Sequence, residues 1–453
     1  MEANASHGGD DADHVVTAFL RNGGEVLLLR RGDAVGTYVG AWGGVSGFAE
    51  GRPDEQVRVE IAEETGLADE VSLVRSSRPL SVSDPDRGRE WVVHPYLFDC
   101  ASREVELSEE HDACEWTSPT AILDADRETV PALWETYERV APSVRSIAAD
   151  DAHGAAWLSL RALETLRDRS GVIVAESEAA SSPRTGERGT RKPDADPAEE
   201  WDELAALARR LLEVRPSMAV LRNRVNRAMA GAVERAAEDG DPDATAVLES
   251  TLDGIDRALA ADEGTAARAA DRVEGRVATL SRSGTVLEAL RRGDPDRVFV
   301  AESRPGREGV DVAEELAEAC PVTLHADAAA ATVLAREDVD RVVVGADSIR
   351  PDGAVVNKTG TRGAAIAAAR EGVPVTVVAA SDKVSTREEV NLESGDRAAV
   401  YDGAASVDVA NPTFDVTPAD CVTEVVTERG TYAPAEVREV AAELRDRERW
   451  QDR

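Results

Sequence analysis

The amino-acid sequence predicts an α/β protein with more than one domain, and three observations lead to this prediction. A length of 453 residues predicts roughly two to four domains. The second half alternates apolar runs such as RVFVAES and RVVVGAD with helical stretches, which is typical of a parallel sheet with crossover helices. A segment from Ser170 to Glu200, rich in Ser, Gly, Pro and charge, separates it from an unlike first half.

The first half is predicted to be α+β. HVVTAF and EVLLLR flank Asn22-Gly23, which is a strong β-hairpin signal, and WVVHPYLF predicts a later strand. Pro53 suits the first position of a helix and Gly66 suits its end, so a helix is expected from Arg52 to Thr65.

The second half is predicted to be a helical part followed by a Rossmann-like doubly wound sheet. The stretches that predict helices are Trp201 to Leu212, Ser217 to Ala237 and Ala244 to Ala270. The expected domains are therefore 1–142 and 143–453. Within the second domain, the helical part covers 143–285, with a linker at 174–198, and the sheet covers 286–453. In such a sheet, ligands bind beyond the carboxyl ends of the strands.

Composition narrows the classes of function. The chain has 88 Asp and Glu against 52 Lys and Arg, a formal net charge of -36, and lysine only at Lys192, Lys358 and Lys383. This composition suggests a halophilic protein, because concentrated salt screens the self-repulsion. Without a basic run that contains aromatic residues, nucleic acid is not expected as a direct partner. No apolar stretch reaches the roughly 18 residues of a membrane span, so we expect a cytoplasmic protein.

The expected helix in the first half carries three glutamates on one face. Glu60, Glu63 and Glu64 are spaced i, i+3 and i+4 and cover an arc of roughly 100°. Like charges at this spacing repel each other unless a cation joins them, and carboxylate oxygens suit Mg²⁺ or Mn²⁺. In so acidic a chain, the alternative is an ordinary solvated acidic face.

The residues around these glutamates resemble the Nudix box, whose usual form is Gly, five residues, Glu, seven residues, then Arg-Glu-apolar-x-Glu-Glu-x-Gly-apolar. Gly44, Glu50 and Arg58 keep the first spacings, and EIAEETGL follows after one extra residue, Val59. The resemblance covers roughly the first 140 residues. It implies that Glu60, Glu63 and Glu64 are metal ligands and catalytic residues that act on a diphosphate of a nucleoside diphosphate derivative.

A second polar element lies in the second half. In GADSIRPDGAVVNKTGTRGAA, a predicted strand ends near Asp347 and is followed by Asn357 and Lys358. Asp347 can exchange a proton, and a lysine beside a helix start suits an anion. The alternative is a surface turn that happens to contain a lysine.

This element and several others resemble one superfamily, which comprises the α, β and δ subunits of translation initiation factor 2B, methylthioribose-1-phosphate isomerase and ribose-1,5-bisphosphate isomerase. The other elements are VRPSMAVLRNRV, ESRPGREG and NPTFDVTPADCVTEVVTERG. The resemblance implies a sugar-phosphate or nucleotide pocket with Arg215 and Arg304 on phosphate, Asn357 and Lys358 on the ligand, and Asp347 as acid/base. It also implies a homodimer formed through this domain.

The sequence departs from the isomerases at their reactive cysteine. TLSRSGTV places Ser281 there, and serine is a poor proton-transfer substitute. Thr279, Ser281, Arg282, Ser283 and Gly284 could still hold a phosphate. The sequence thus favours a Mg²⁺-dependent Nudix hydrolase fused to a sugar-phosphate-binding domain. Two alternatives stay open: a non-catalytic regulatory protein like initiation factor 2B, and an isomerase of the ribose-1,5-bisphosphate type.

Overall fold

The computed structural model describes residues 12–85, 87–181, 196–236 and 240–453. These residues form two compact units. The first contains the chain up to Ser143 together with Glu164–Glu200, and the second contains Val144–Leu163 and Trp201–Arg453. The units differ from the predicted domains 1–142 and 143–453, because residues 164–200 belong with the first unit.

The first unit is built on a mixed sheet. Its strands are β1 (Asp13–Asn22), β2 (Glu25–Arg31), β3 (Trp42–Gly43), β4 (Val45–Phe48), β5 (Val71–Ser76), β6 (Leu80–Asp84), β7 (Arg89–Cys100) and β8 (His111–Thr117). Its main path runs β3-β2-β1-β7-β5, where β1 and β7 are parallel and the other pairs are antiparallel. The predicted hairpin is present, and its turn needs glycine because Gly23 and Gly24 have φ of 58° and 91°.

Helix α1 (Pro53–Thr65) covers one face of this sheet, and α2 (Leu133–Glu138) lies on the other. The core on the α1 side includes Ile61, Leu20 and Leu27, and the core on the α2 side includes Leu133, Phe19 and Leu28. Neighbouring residues of one strand therefore enter opposite cores, as the two-residue period of a strand requires. Helix α1 ends at Gly66, whose φ of 71° is left-handed, so the predicted helix end is correct.

A long helix crosses the boundary between the units. Helix α3 (Val144–Ala149) is followed by α4 (Ala155–Ser181), which passes from the second unit into the first at Leu163. The linker predicted at 174–198 is therefore wrong for 174–181, where Ala and Glu favour continuation of the helix. The rest of that linker, except 196–198, lies outside the described residues.

The second unit begins with helices and continues into a parallel sheet. The further helices are α5 (Pro197–Val214), α6 (Ala219–Arg235), α7 (Ala244–Ala270), α8 (Gly284–Arg292), α9 (Glu308–Ala317), α10 (Ala330–Arg336), α11 (Thr361–Glu371) and α12 (Val437–Asp446). The strands are β9 (Glu274–Leu280), β10 (Asp294–Ala301), β11 (Val322–His325), β12 (Arg341–Val344), β13 (Ser348–Ile349), β14 (Val355–Lys358), β15 (Val375–Val378), β16 (Phe414–Thr417), β17 (Glu424–Thr427) and β18 (Gly430–Tyr432).

The main sheet of this unit confirms the doubly wound prediction. Its order is β11-β10-β9-β12-β15-β17-β18, and the pairs from β11 to β17 are parallel. Both faces are buried, since Val277 and Ala278 of one strand enter two different cores. The central strand β9 lies within 143–285, which the sequence had suggested to be helical. A smaller sheet, β13-β14-β16, is antiparallel.

Two further features concern both units. The four cysteines are free; Cys100 is buried, and Cys114, Cys320 and Cys421 are half-buried. Within the part of the chain that the structure describes, no helix is both long and apolar enough to cross a membrane.

Candidate functional sites

Helix α1 presents its three predicted carboxylates at three different depths. Glu64 lies on the same buried face as Ile61 and is 4% exposed, Glu60 is half-buried, and Glu63 is exposed. The extra residue Val59 is 43% exposed. The helical period explains this order, because a helix that buries Ile61 and Glu64 turns Glu63 outward.

Strand β4 runs close to two of these carboxylates. The backbone N–H of Ser46 donates to Glu64 Oε2 at 3.2 Å. A Cβ placed on Gly47 would lie 2.0 Å from Glu60 Oε1, so only glycine leaves room for this carboxylate. Three residues earlier, a Cβ on Gly44 would lie 2.7 Å from the carbonyl oxygen of Ala18 on β1. The first glycine of the box is thus needed for strand pairing.

Buried His111 was not singled out from the sequence, and it faces Glu64. Its Nε2 lies 4.0 Å from Glu64 Oε2. Burial raises the pKa of Glu64 to about 9 and lowers the pKa of His111 to about 4, where the charge of Arg31 also contributes. Both groups are therefore neutral near pH 7 and do not form an ion pair. Only the folded chain brings the two together, since 47 positions separate them in the sequence.

The surroundings of Glu60 and Glu64 are rich in carboxylates. Burial raises the pKa of Glu60, and the charges of Glu63, Glu110 and Glu50 raise it further. The hydrogen bond from Gln56 Nε2 at 2.8 Å lowers this pKa. The carboxylates Glu60 and Glu110 also raise the pKa of Glu64. Oxygen donors that repel one another fit a hard divalent ion.

These carboxylates are not arranged as a chelating set. Among the described residues, no group of three or more His, Cys, Asp or Glu side chains is arranged to hold a metal ion. The assignment of Glu60, Glu63 and Glu64 as joint ligands therefore stays a prediction. Arg31 is a positively charged side chain close to Glu64. Its pKa is lowered by burial and raised by Glu64 and Glu110. Its Nε donates to the carbonyl oxygen of Thr37 at 2.9 Å.

The second unit holds a cavity of about 1570 Å³ where loops leave the carboxyl ends of β9 and β12. These adjacent strands mark the point at which the chain reverses its direction across the sheet, because β10 and β11 extend to one side and β15 and β17 to the other. Ligands of doubly wound folds bind at such a point. Eight of the ten residues named from the sequence for this unit line the cavity: Arg215, Ser281, Arg282, Ser283, Gly284, Asp347, Asn357 and Lys358.

Thr279 does not line the cavity, and Arg304 does not line it either. Its side chain is 61% exposed, and its Nε lies 3.1 Å from Glu302 Oε2. Its backbone N–H donates to Asp327 Oδ2 at 2.6 Å. The structure thus gives no support to the predicted phosphate contact of Arg304, because the loop after β10 directs this side chain to solvent.

A carboxylate and two lysines, Asp347, Lys358 and Lys383, lie on the lining of the cavity. Burial raises the pKa of Asp347, whereas Lys383 and Lys358 lower it and Glu393 raises it. Lys383 Nζ donates to the carbonyl oxygen of Ala346 at 2.6 Å, and Lys358 Nζ lies 2.5 Å from Glu308 Oε1. Both lysines of the described residues therefore lie in one cavity of a strongly acidic chain. Asn357 is fixed beside them by its hydrogen bond to Thr361 Oγ1 at 3.0 Å.

The loop before α8 supplies hydroxyls and backbone amides. Ser283 caps this helix by accepting a hydrogen bond from the backbone N–H of Val286 at 3.4 Å. Ser281 has a left-handed φ of 60°, and its N–H donates to Ser303 Oγ at 2.7 Å. Arg282 Nη2 lies 3.2 Å from Glu315 Oε1. The start of α8 thus faces the cavity with its positive dipole end.

Arg215 lines the cavity but has other partners. Its Nε donates to the carbonyl oxygen of Ile147 at 3.2 Å, and its Nη2 donates to the carbonyl oxygen of Asp150. The same Nη2 lies 3.4 Å from Asp151 Oδ1. The lining also contains arginines that the sequence did not single out, namely Arg222, Arg292, Arg350 and Arg387.

Comparison with known proteins agrees with both halves. Residues 12–140 match the NUDIX domain model, and residues 151–434 match the model of the initiation factor 2 subunit family. Ribose 1,5-bisphosphate isomerase of Haloferax volcanii is 32% identical over 313 residues, covering 66% of this chain and 92% of that protein. Methylthioribose-1-phosphate isomerase of Gloeobacter violaceus is 41% identical over 166 residues, covering 34% and 48%.

Among solved structures, the Pyrococcus horikoshii OT3 translation initiation factor eIF-2B superposes with a TM-score of 0.50 at 24% identity, covering 64% of this chain and 95% of that one. This likeness shows a common fold. The family match covers more than half of the chain, and the two matches do not overlap. The chain therefore belongs to the initiation factor 2 subunit family, with a NUDIX domain preceding the family region.

Proposed function

We propose that the cavity of the second unit binds a sugar phosphate or nucleotide. The observation that carries this proposal is the joint presence of Lys358, Lys383 and the start of α8 around Asp347 in a protein of net charge -36. A phosphate would find ammonium groups, backbone amides and hydroxyls there, while Asn357 and Asp347 can contact sugar hydroxyls. The names of the two isomerases indicate phosphorylated pentoses as ligands to test first.

For the first unit, we propose Mg²⁺- or Mn²⁺-dependent hydrolysis of a nucleoside diphosphate derivative. Glu60, Glu63 and Glu64 would hold the ion, which would neutralise the diphosphate and supply or orient the attacking water. The match to the NUDIX domain and the mutually repelling carboxylates support this proposal. Arg31, whose pKa is raised by Glu64 and Glu110, would contact a phosphate oxygen of the substrate near these carboxylates.

Hydrolysis is tested by incubating the full chain with a mixture of dinucleotides and nucleoside diphosphate sugars, with and without Mg²⁺, followed by mass spectrometry. We expect Mg²⁺-dependent cleavage that falls by about 100-fold or more in Glu64→Gln, because an amide cannot give up a proton to become an anionic ligand of the ion. Glu55→Gln is the control, since Glu55 is 69% exposed and pairs with Arg52 at 2.7 Å. Cleavage that survives in both Glu63→Gln and Glu64→Gln would remove the proposed metal site.

An isomerase is the second candidate for the cavity. Asp347 favours it, because it is a recessed carboxyl whose pKa is raised by burial, and acids with shifted pKa values often serve in proton transfer. Ser281 disfavours it, since a hydroxyl stands where the isomerases of this superfamily use a thiol. We therefore place binding ahead of isomerisation. Conversion of a phosphorylated aldose to the ketose that persists in Asp347→Asn would exclude an isomerase that depends on this acid.

A non-catalytic regulatory role is the remaining alternative. In that case both units would only bind nucleotides or sugar phosphates, and residues 143–453 would dimerise or dock a partner. The departures at Val59 and Ser281 are the features that favour it. Thermal-shift screening with a nucleotide and pentose-phosphate panel, combined with product analysis of the same samples, separates binding from turnover. Light scattering tests the homodimer expected from the family.

A further inference from the structure

Two histidines of the first unit lie against each other near the start of strand β1. His14 is the second residue of β1 and is exposed, whereas His94 belongs to β7 and is half-buried. His14 Nδ1 lies 3.0 Å from His94 Nε2, and the two ring centroids are 5.3 Å apart. The imidazoles therefore share a hydrogen bond, which needs a proton on one of these nitrogens and a lone pair on the other.

The parallel pairing of β1 with β7 brings the two rings together from positions 80 residues apart. His14 is opposite Val92, two positions before His94, so both histidines lie on the same face of the sheet. Tyr96 continues this face on β7, and its hydroxyl donates to Asp54 Oδ1 at 2.7 Å in the first turn of α1. The histidine pair thus has solvent access and lies on a face that also contacts a carboxylate.

The distance between the two nitrogens indicates the geometry of an ion that both would bind. Imidazole nitrogens lie about 2.0–2.1 Å from a bound metal, so nitrogens 3.0 Å apart would subtend roughly 90–97° at the ion. A tetrahedral ion would need them roughly 3.3–3.4 Å apart at the same bond length. An angle near 90° is that of neighbouring positions in a square-planar or octahedral shell. Cu²⁺ and Ni²⁺ bind nitrogen ligands in such shells.

Small side-chain rotations would direct both nitrogens at one ion. The ion would lie to one side of the line that joins the nitrogens, and the terminal torsion of a histidine side chain has a broad range. The histidine that donates the shared hydrogen bond would move its proton to its other ring nitrogen. Both facing nitrogens of His14 and His94 would then carry lone pairs, and the pair would lose no proton.

We propose that His14 and His94 form a binding site for a divalent transition-metal ion of the Ni²⁺ or Cu²⁺ type, with water in the remaining coordination positions. Imidazole suits these ions, whereas Mg²⁺ prefers oxygen ligands. The site is therefore chemically distinct from the carboxylates of α1. The negative charge of Asp54 and of the chain as a whole favours a cation there.

The site is tested by calorimetric titration of the full chain with Ni²⁺ in excess Mg²⁺, which occupies the carboxylates of this acidic protein. We expect one Ni²⁺ per chain, and an affinity that falls at least tenfold in His14→Gln and in His94→Gln, because a single imidazole remains in each. Ni²⁺ should also raise the melting temperature of the wild type but not that of the variants. Electron paramagnetic resonance with Cu²⁺ should show two nitrogen ligands in the wild type and fewer in each variant.

His325→Gln is the control, because His325 belongs to the second unit and its Nδ1 contacts the carbonyl oxygen of Ala326 at 3.0 Å. This variant should bind Ni²⁺ as the wild type does. Melting curves without added metal show whether the variants are folded, and His14→Gln changes an exposed residue. The site is wrong if the wild type takes up no Ni²⁺, or if both variants keep the wild-type affinity. Neither result bears on Mg²⁺-dependent hydrolysis, which is measured separately.

Discussion

At the scale of single residues, burial decides which carboxyl groups are ready for chemistry. Glu63 and Glu64 are adjacent in the sequence, yet one is exposed and the other is 4% exposed with a pKa of about 9. Asp347 is recessed between Lys358 and Lys383, and its pKa is raised because the loss of water outweighs both ammonium charges. Such shifts cluster at functional sites, although structural networks also produce them.

Asp347 should give the folding stability a specific dependence on pH. A pKa raised by folding means that the native state binds the proton of Asp347 more strongly than the unfolded state does. The resulting contribution to the free energy of unfolding is fully present below the unfolded pKa of Asp347, which is about 3.9. It is lost as the pH rises through the folded pKa. We expect Asp347→Asn to match the wild type near pH 4 and to melt about 1 to 3 °C higher at pH 7.

The measurement is thermal unfolding at both pH values, with Asp408→Asn as the control for loss of an exposed carboxylate. A variant that is equally stabilised at both pH values would indicate a packing effect rather than a buried charge.

At the scale of elements, the pairing of α1 with β4 decides how the carboxylates are presented. The helix could place Glu60 against the strand only because Gly47 lacks a side chain, since a Cβ there would lie 2.0 Å from Glu60 Oε1. The atoms that a methyl group would meet are the far end of a flexible side chain. Strain would therefore be relieved by movement of the carboxylate rather than of the backbone.

Gly47→Ala should consequently separate stability from activity. We expect the melting temperature to stay within about 2 °C, while Mg²⁺-dependent hydrolysis falls at least about tenfold, because displacement of a ligand by about 1 Å is costly. Gly36→Ala is the matched control, since its Cβ would meet nothing within 4 Å. Paired melting and hydrolysis assays give the answer. Full hydrolysis by Gly47→Ala would show that the position of Glu60 does not matter.

At the scale of the whole molecule, the acidic composition should control stability through salt. A net charge of -36 opposes compaction through self-repulsion. The screening length falls from about 10 Å at 0.1 M to about 3 Å at 1 M salt. Salt also weakens exposed ion pairs such as that between Arg30 and Asp112. Each such pair contributes little to stability, so the screening of repulsion is the larger effect of salt.

The melting temperature should therefore rise by at least about 5 °C between 0.1 and 1 M KCl and then level off. Differential scanning calorimetry across a KCl series measures this. A continued linear rise to 3 M would indicate exclusion of salt from the surface instead, and an unchanged melting temperature would contradict the suggested halophilic character.

Much of the fold was predictable because it depends on local patterns. The hairpin at Asn22-Gly23, the end of α1 at Gly66, and the parallel strands β10, β11, β12 and β15 follow from turn residues and periodicity. Strand β9 was missed because its sequence, EGRVATL, contains no long apolar run and follows directly on a long helix. The segment 174–181 was assigned to a linker from its composition, whereas its Ala and Glu continue a helix.

The sequence by itself determined which residue types were available: the spaced glutamates of α1, the Asp347 to Lys358 element, and lysines in only three places. Only the tertiary structure decided which of these residues lie close together. It set His111 beside Glu64, left Arg304 in solvent, and put Arg222 and Arg387 on one cavity. The physical reason is that periodicity acts between neighbours in sequence, whereas burial and charge interactions act between groups that packing brings together from distant parts of the chain.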